Sequence, residues 1–513
     1  MKNLLFILLF GLLISLSSCR SDFNFQPSNG GLEFSKDTVY LDTVFTNIGS
    51  STYRLKVYNK SGNDISIPKI QLAKGTSSKY RMMIDGMTGE DVDASGFGEG
   101  KIFNNVELLA KDSMYIFIET TASITDANPT DFLYTDKIEF HNISGAPQTV
   151  DLVTLIQDAY FLYPKKFADG TTETLPIGDD EVYGFYLDEN DPINGNEFIW
   201  TNDKPYVIYG YAAVPSTKTL TINPGARVHF HDNSGLIVGS GGTLKVNGTL
   251  STTEALENEI IFEGDRLEPG FANVPGQWST VWLTSGSTNN EINHLTIKNS
   301  VVGLLIDSND GNYMTINNTQ IYNSSNIGLY AKTAKIKGEN IVINSAGQYA
   351  LACTLGGFYE FKHCTFNNNW PSSKQLAVLV NNFYTDDSNT AIGFNLQQAD
   401  FYNCIIHGSN QIELFFDKNS AGTWTTPLFN KCQIKFNNTN NQYSDNTDYS
   451  FLNDVTNIIK NGTTDFTDLG NNNLSIGADS DAIGFGIATS VPFDILGNPR
   501  TTSIDLGAYQ YVP

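Results

Sequence analysis

The sequence predicts an all-β chain, an N-terminal β-sandwich followed by a parallel β-helix solenoid, and three observations carry that prediction. In the C-terminal two-thirds, apolar positions return every 22 to 24 residues, the period of one coil in a stacked repeat. Between them lie short runs of alternating apolar and polar residues bounded by Asn and Gly, the pattern of strands joined by turns. The first third alternates in the same way without the period, as a sandwich of separate strands does.

The chain opens with Lys2, an apolar run from Leu4 to Ile14, and the small-residue box Leu16-Ser17-Ser18-Cys19. The run is too short to span a bilayer, so residues 1–18 read as a signal peptide. Cleavage before Cys19 would leave a thiol for acylation, and 19–31 would be a tether. The expectation is an exported chain, lipid-anchored to the outer membrane on its cell-surface or periplasmic face. No later apolar run is long enough to cross a membrane, which leaves the lipid as the only membrane contact.

Of 513 residues, 55 are Asp or Glu and 31 are Lys or Arg, for a formal net charge of -24. That balance excludes nucleic acid, whose phosphates need clustered cations, and disfavours uronate polymers. Neutral glycans or envelope proteins remain as partners.

Residues 32–163 carry the sandwich pattern, with about seven strands expected from runs such as Thr38 to Phe45, Tyr53 to Tyr58 and Tyr115 to Glu119. Residues 164–205 are rich in acid, Gly and Pro, including Asp188-Glu189-Asn190-Asp191, and read as an acidic linker and entry to the β-helix. Calcium-loop spacing is missing there. The solenoid is expected over 206–513, ending in a closing segment.

Within it, Leu220-Thr221-Ile222 returns as Leu244-Lys245-Val246, and the apolar anchors Ile297, Ile321, Ile343, Phe366, Ile406 and Ile434 follow one another. Two residues before each anchor stand Leu295, Thr319, Ile341, Cys364, Cys404 and Cys432, an inward column. This register makes the cysteines buried hydrophobes rather than disulfide partners. One residue further back stand His294, Asn318, Asn340, His363, Asn403 and Lys431, a polar column that strand alternation would turn outward.

Asp42-Thr43-Val44-Phe45, Gly49-Ser50 and Leu55-Lys56-Val57-Tyr58-Asn59 resemble bacterial immunoglobulin-like domains. Ile222-Asn223-Pro224-Gly225, Gly276-Gln277-Trp278 and the ending Asp505-Leu506-Gly507-Ala508-Tyr509 resemble the right-handed parallel β-helix of the pectate-lyase-like superfamily. The layout as a whole is similar to lipoproteins of the Bacteroidetes. That superfamily contains lyases, hydrolases and adhesins, so the resemblance implies the fold and not one activity.

No catalytic set is legible. Arginine is confined in the solenoid to Arg227, Arg266 and Arg500, which weakens a lyase. The hydrolase-like fragments Asn446-Thr447-Asp448 and Asp386-Asp387 occur in reversed order. His229 and His231 have the spacing of a metal pair but no third ligand, and His294 and His363 lie three rungs apart, on the order of 14 Å. No metal, cofactor or catalytic residue is therefore assigned.

Two features remain. In the second strand of successive rungs, Leu305, Tyr330, Ala352, Leu379 and Phe415 should point outward as an apolar strip, which implies either a cover or a contact surface. A lid formed by loops or by the segment after Asn453 is favoured, with a groove using Tyr330 and Phe415 as ligand contacts the sharper reading. The long loop from Glu263 to Gln277 offers Asp265 and Arg266 as further contacts, against a simple Arg266–Glu268 closure. The functional expectation is a cell-envelope lipoprotein with a non-catalytic, glycan- or protein-binding or structural β-helix. The alternative is a carbohydrate-active enzyme, a polysaccharide lyase or glycoside hydrolase.

Overall fold

The computed structural model describes residues 24–178, 180–309, 311–501 and 503–513. Residues 1–18, expected as a signal peptide, and Cys19 lie outside the described residues, as do Asp179 and Asp310. Among the described residues, no helix is long and apolar enough to cross a membrane. The chain divides into two compact units, 1–158 and 159–513.

The first unit is a β-sandwich of a six-stranded and a four-stranded sheet. Its strands alternate buried and exposed residues, as in Ser113–Thr120 and Leu133–His141, so one face of each sheet supplies the core. Leu55, Ile67, Ile70, Ile116 and Ile138 lie in that core with no exposed surface. The excess over seven strands includes the two-residue pieces Gln26–Pro27 and Glu33–Phe34, too short to show a period. Gln26–Pro27 pairs with Ile65–Ser66, so the expected tether already joins the sandwich there. Asp42 adopts a left-handed backbone (φ 54°) where the pairing of Thr38–Phe45 with Gln148–Gln157 shifts register, a β-bulge.

The second unit is a parallel β-helix of three sheets with eleven, ten and nine strands. Each rung gives one strand to each sheet. The anchors stack in register: Ile297 pairs with Ile321, Ile321 with Ile343, Ile343 with Phe366, Phe366 with Ile406 and Ile406 with Ile434, the first three steps at the 22- to 24-residue period and the last two over longer intervals of 40 and 28 residues. Inside, the rings of Phe361, Phe401 and Phe429 stack at 5.4 and 4.8 Å. Each such ring pair contributes about 0.5–1.5 kcal/mol beyond its buried area.

Two expectations are corrected. The span read as a linker, together with the last residues assigned to the sandwich, builds the first rung: Tyr160–Leu162, expected in the sandwich, pairs with Tyr206–Ile208, and within the expected linker Gly184–Tyr186 pairs with Tyr211–Ala213 and Ile199–Trp200 with Thr221–Ile222. Asp188, Glu189 and Asp191 sit in the turn after Leu187, while Phe185, Leu187, Phe198 and Trp200 enter the core. Average composition hid this inward set. The polar column His294, Asn318, Asn340, His363, Asn403 and Lys431 is real, but its cause is a turn and not strand alternation. All six have positive φ, from 46° to 56°, a left-handed corner that Asn and His tolerate better than most residues. The corner amides also bond between rungs: Asn340 Nδ2 donates to Asn318 Oδ1 at 2.9 Å, and Asn318 Nδ2 donates to Asn293 Oδ1 at 3.0 Å.

The C-terminal segment is a cover, but over the eleven-stranded sheet and not over the strip. Outward Tyr322 and Val342 are buried against Leu474, Ile495, Ala508 and Tyr509, and Ile405 against Ile476, Ala482 and Leu506. The outward ladder there is mixed, with Thr296, Gln320, Val342, Thr365, Ile405 and Gln433 in register, so the segment both buries its apolar members Val342 and Ile405 and bonds to polar ones, as where the Ala508 N–H donates to Thr365 Oγ1.

Cys353, Cys364, Cys404 and Cys432 are free and buried, and burial raises the Cys353, Cys404 and Cys432 thiols well above the ordinary range. Thiolate, the reactive form, is therefore suppressed. All four should resist a thiol reagent in native buffer and react fully in denaturant without reductant. A disulfide mass shift would contradict this register.

Candidate functional site

Pairing register places Ala213, Ile237, Trp282, Leu305, Tyr330, Ala352, Leu379 and Phe415 in one outward ladder on the ten-stranded sheet. Neighbouring rungs stand about 4.8 Å apart. Beside its central part runs a second ladder, Val302, Ile327, Tyr349 and Leu376, which packs with Tyr330, Ala352, Leu379 and Phe415 in one outer apolar cluster, while Ala213, Ile237 and Trp282 form a separate cluster with Leu175 and Ile177. Leu305, Tyr330, Tyr349 and Phe415 are half-buried, as expected of side chains that shield one another along a ladder. The ring of Tyr443 stands 6.4 Å from that of Phe415.

A polar edge flanks the strip. Asp307 pairs across strands with Lys332, and their side chains form a 3.0 Å ion pair. Asn381 Nδ2 donates to Asp417 Oδ2 at 3.0 Å. The result is a row of aromatic and aliphatic side chains beside hydrogen-bonding groups, on rigid strands. The sequence reading found the part from Leu305 to Phe415 and missed Ala213, Ile237 and Trp282. The insertion at 263–277 separates Ile237 from Trp282 by two periods and hides the continuity.

Asp265 and Arg266 do not join this strip. Asp265 Oδ2 pairs with His231 Nδ1 at 2.7 Å, and Arg266 pairs with Glu268 at 3.1 Å while its guanidinium lies 3.9 Å over the Phe271 ring. Both side chains close their own loop. His229 is buried 3.9 Å from Glu263, and burial lowers its pKa, while His231 is turned to Asp265. The two imidazoles therefore have separate partners and do not form a metal pair.

The hydrolase-like fragments have structural roles. Asn446 caps a short 3-10 helix, Thr447–Asn453, and Asp448 pairs with Lys418 at 2.6 Å. Asp386 accepts the backbone N–H groups of Ser388 and Thr390 in a hairpin turn. On the nine-stranded sheet, however, Glu360 and Asp400 are cross-strand partners, and burial pushes the Asp400 carboxyl up, with Glu360 adding to the push. Sequence did not reveal this pair because 40 residues separate its members. In the sandwich, carboxylate oxygens of Asp91, Asp93 and Glu99 lie within 4.8 Å of one another. Those groups already accept backbone N–H bonds from their own loop, among them Val92 and Asp93 to Glu99 and Gly96 to Asp91.

No family model and no curated protein matches this chain. Among solved structures, the periplasmic chaperone SfaE aligns over 25% of this chain and 58% of its own, at 15% identity and a TM-score of 0.17. The chain thus spans less than two-thirds of that structure's length. A PapD-like domain of human CEP192 aligns over 28% of this chain and 98% of its own, at 14% identity and a TM-score of 0.15. The catalytic domain of a GH87 alpha-1,3-glucanase in complex with nigerose aligns over 80% of this chain and 85% of its own, at 11% identity and a TM-score of 0.20. At such scores these likenesses carry no argument about what this chain does.

Proposed function

We propose that the chain is an exported cell-envelope lipoprotein, anchored through Cys19, whose β-helix binds glycan or another envelope protein without turnover. The observation that carries this reading is the outward ladder from Leu305 to Phe415, the part not packed against Leu175 and Ile177. An apolar strip of this length on a solenoid face is a contact surface by its chemistry, and the C-terminal segment packs elsewhere. Rings interleaved with hydrogen-bonding neighbours favour a sugar chain, which offers C–H faces to the rings and hydroxyls to the polar edge.

Tyr330→Ala and Phe415→Ala should each cost about 1 kcal/mol or less, the scale of a cross-strand contact, and weaken ligand or partner binding at least about tenfold. Melting and binding measured on the same variants check this. A stability loss of about 3–5 kcal/mol, the cost of truncating a buried aromatic, would restore the lid reading. Cys19→Ala should move the protein from the membrane fraction to the soluble fraction, and persistence in the membrane would refute the anchor.

The Glu360–Asp400 pair favours the second reading, a glycoside hydrolase, because glycosidic cleavage uses paired carboxylates, one of them with a raised pKa, and burial raises the Asp400 carboxyl beside Glu360. Reducing-end release from neutral polysaccharides, abolished by Asp400→Asn, would establish it in place of binding alone.

A further inference from the structure

A cleft of about 450 Å³ lies on a different face, between the first corner of three successive rungs and the C-terminal segment. We infer that this cleft is a binding site for a short neutral oligosaccharide laid along the solenoid axis. Its floor is the cross-strand ladder Asn293, Asn317 and Glu339, which spans about 10 Å at the rung spacing. Its wall is apolar, with Phe493 54% and Leu250 41% exposed beside Pro492. A Cβ on Gly497 would meet the Leu250 side chain at 2.6 Å, so the loop and the C-terminal segment close against each other.

The floor has capacity left over. Asn318 and Asn340, at the corner, are spent on the inter-rung ladder, and Asn340 Nδ2 also donates to the Phe493 carbonyl at 3.0 Å. The Asn317 side-chain amide, in contrast, has no partner among the described residues, and Glu339 is engaged through one oxygen, Oε1, which accepts from Ser490 Oγ at 3.3 Å and pairs with Lys362 Nζ at 3.8 Å. One amide supplies two donors and an acceptor, and a carboxylate supplies acceptors, a set that suits vicinal hydroxyls.

Charge narrows the ligand. Neither Lys nor Arg lines the cleft, His294 is held towards its neutral form by burial, and the chain carries a net charge of -24. Uronates, sulfated sugars and phosphates find no counter-ion there. An extended peptide would need a free strand edge, and the floor strands are paired on both sides. A neutral sugar uses what remains, hydroxyls on the amide floor and a C–H face on Phe493.

This site is independent of the strip, and the test separates them. Calorimetric titration of the full chain with maltohexaose, cellohexaose, mannohexaose and hexagalacturonate should show binding of at least one neutral hexamer and none of the uronate. Asn317→Ala and Phe493→Ala should each weaken that binding at least about tenfold, while Tyr330→Ala leaves it unchanged. Leu250→Ser, at an exposed wall position, gives a second wall variant should Phe493→Ala fold poorly. No neutral hexamer binding at millimolar concentration overturns the inference, as does binding that is indifferent to Asn317, Phe493 and Leu250. Binding lost only with Tyr330→Ala overturns the cleft and supports the strip. Hexagalacturonate binding as tightly overturns the neutral class.

Discussion

Arg500→Ala is expected to destabilise the β-helix unit by about 4 kcal/mol and to release the C-terminal segment first. Its guanidinium is buried and donates to Asn340 Oδ1 at 3.2 Å and to the carbonyls of Asp505 and Gly507 at 3.4 and 3.0 Å. Hydrogen bonds from a charged donor are worth about 1.5–3 kcal/mol each, and the abandoned acceptors would stay buried. Asp494 and Asp505 supply the opposing charge, although burial still pulls the guanidinium down to about 10. Around it, Asp505 accepts the backbone N–H groups of Gly484 and Tyr511, and the Ala508 N–H donates to Thr365 Oγ1. The closing motif is thus a staple between the segment and the rungs. Hydrogen exchange should show early loss of protection at 461–513 in the variant, with the rungs still protected. Arg500→Lys, which keeps the charge without the planar fork, should lose about half as much. A melting temperature unchanged in Arg500→Ala would refute the staple.

Acid is expected to weaken the same unit. Burial is the main cause that holds His363 down at about 3 and His407 at about 4, with Arg500 adding for His363 and Lys435 for His407. His363 Nε2 lies 2.9 Å from Asn403 Nδ2, which can only donate to it, as a neutral imidazole allows. The unfolded chain takes up these protons near pH 6.5, so between about pH 6.5 and 4 it binds more protons than the native chain. Stability therefore falls as pH falls through that window. At about 1.4 kcal/mol per unit, the loss by pH 4 is on the order of 3 kcal/mol for each imidazole.

Glu413 opposes them. Burial raises its carboxyl to about 7, although the backbone N–H groups of Asn410 and Ala377 donate to it. Its raised value contributes stability that is present below about pH 4.5 and lost as pH rises through 7, again on the order of 3 kcal/mol. The two imidazoles outweigh Glu413, and the lowered His229 and His294 stand against the raised Glu197, Glu259 and Asp400, so melting should drop between pH 7 and pH 4. His363→Gln should flatten that drop, and Glu413→Gln should steepen it. A wild-type profile flat over this range would contradict the sign.

The solenoid is legible in the sequence because each rung touches mainly its two neighbours, so a recurrent spacing registers most contacts. That is why the anchors from Ile297 to Ile434, the cysteine column and the middle of the strip follow from residue identities, even across the longer steps to Ile406 and Ile434. Legibility fails at the start of the solenoid. The first rung was masked by its acidic turn, and Trp282 was displaced from Ile237 by the long loop. What tertiary structure alone decided are contacts at large separation: Arg500 on Asn340, Asp265 on His231, Glu360 beside Asp400, and Phe493 over the amide floor. The C-terminal segment has no repeat to register it, so its place is set by apolar and hydrogen-bonded contacts with residues far away in sequence. Tyr322, Val342 and Ile405 pack under it on the eleven-stranded sheet, Thr365 accepts the Ala508 N–H, and Leu305, Tyr330 and Phe415 of the strip stay half-buried outside its cover.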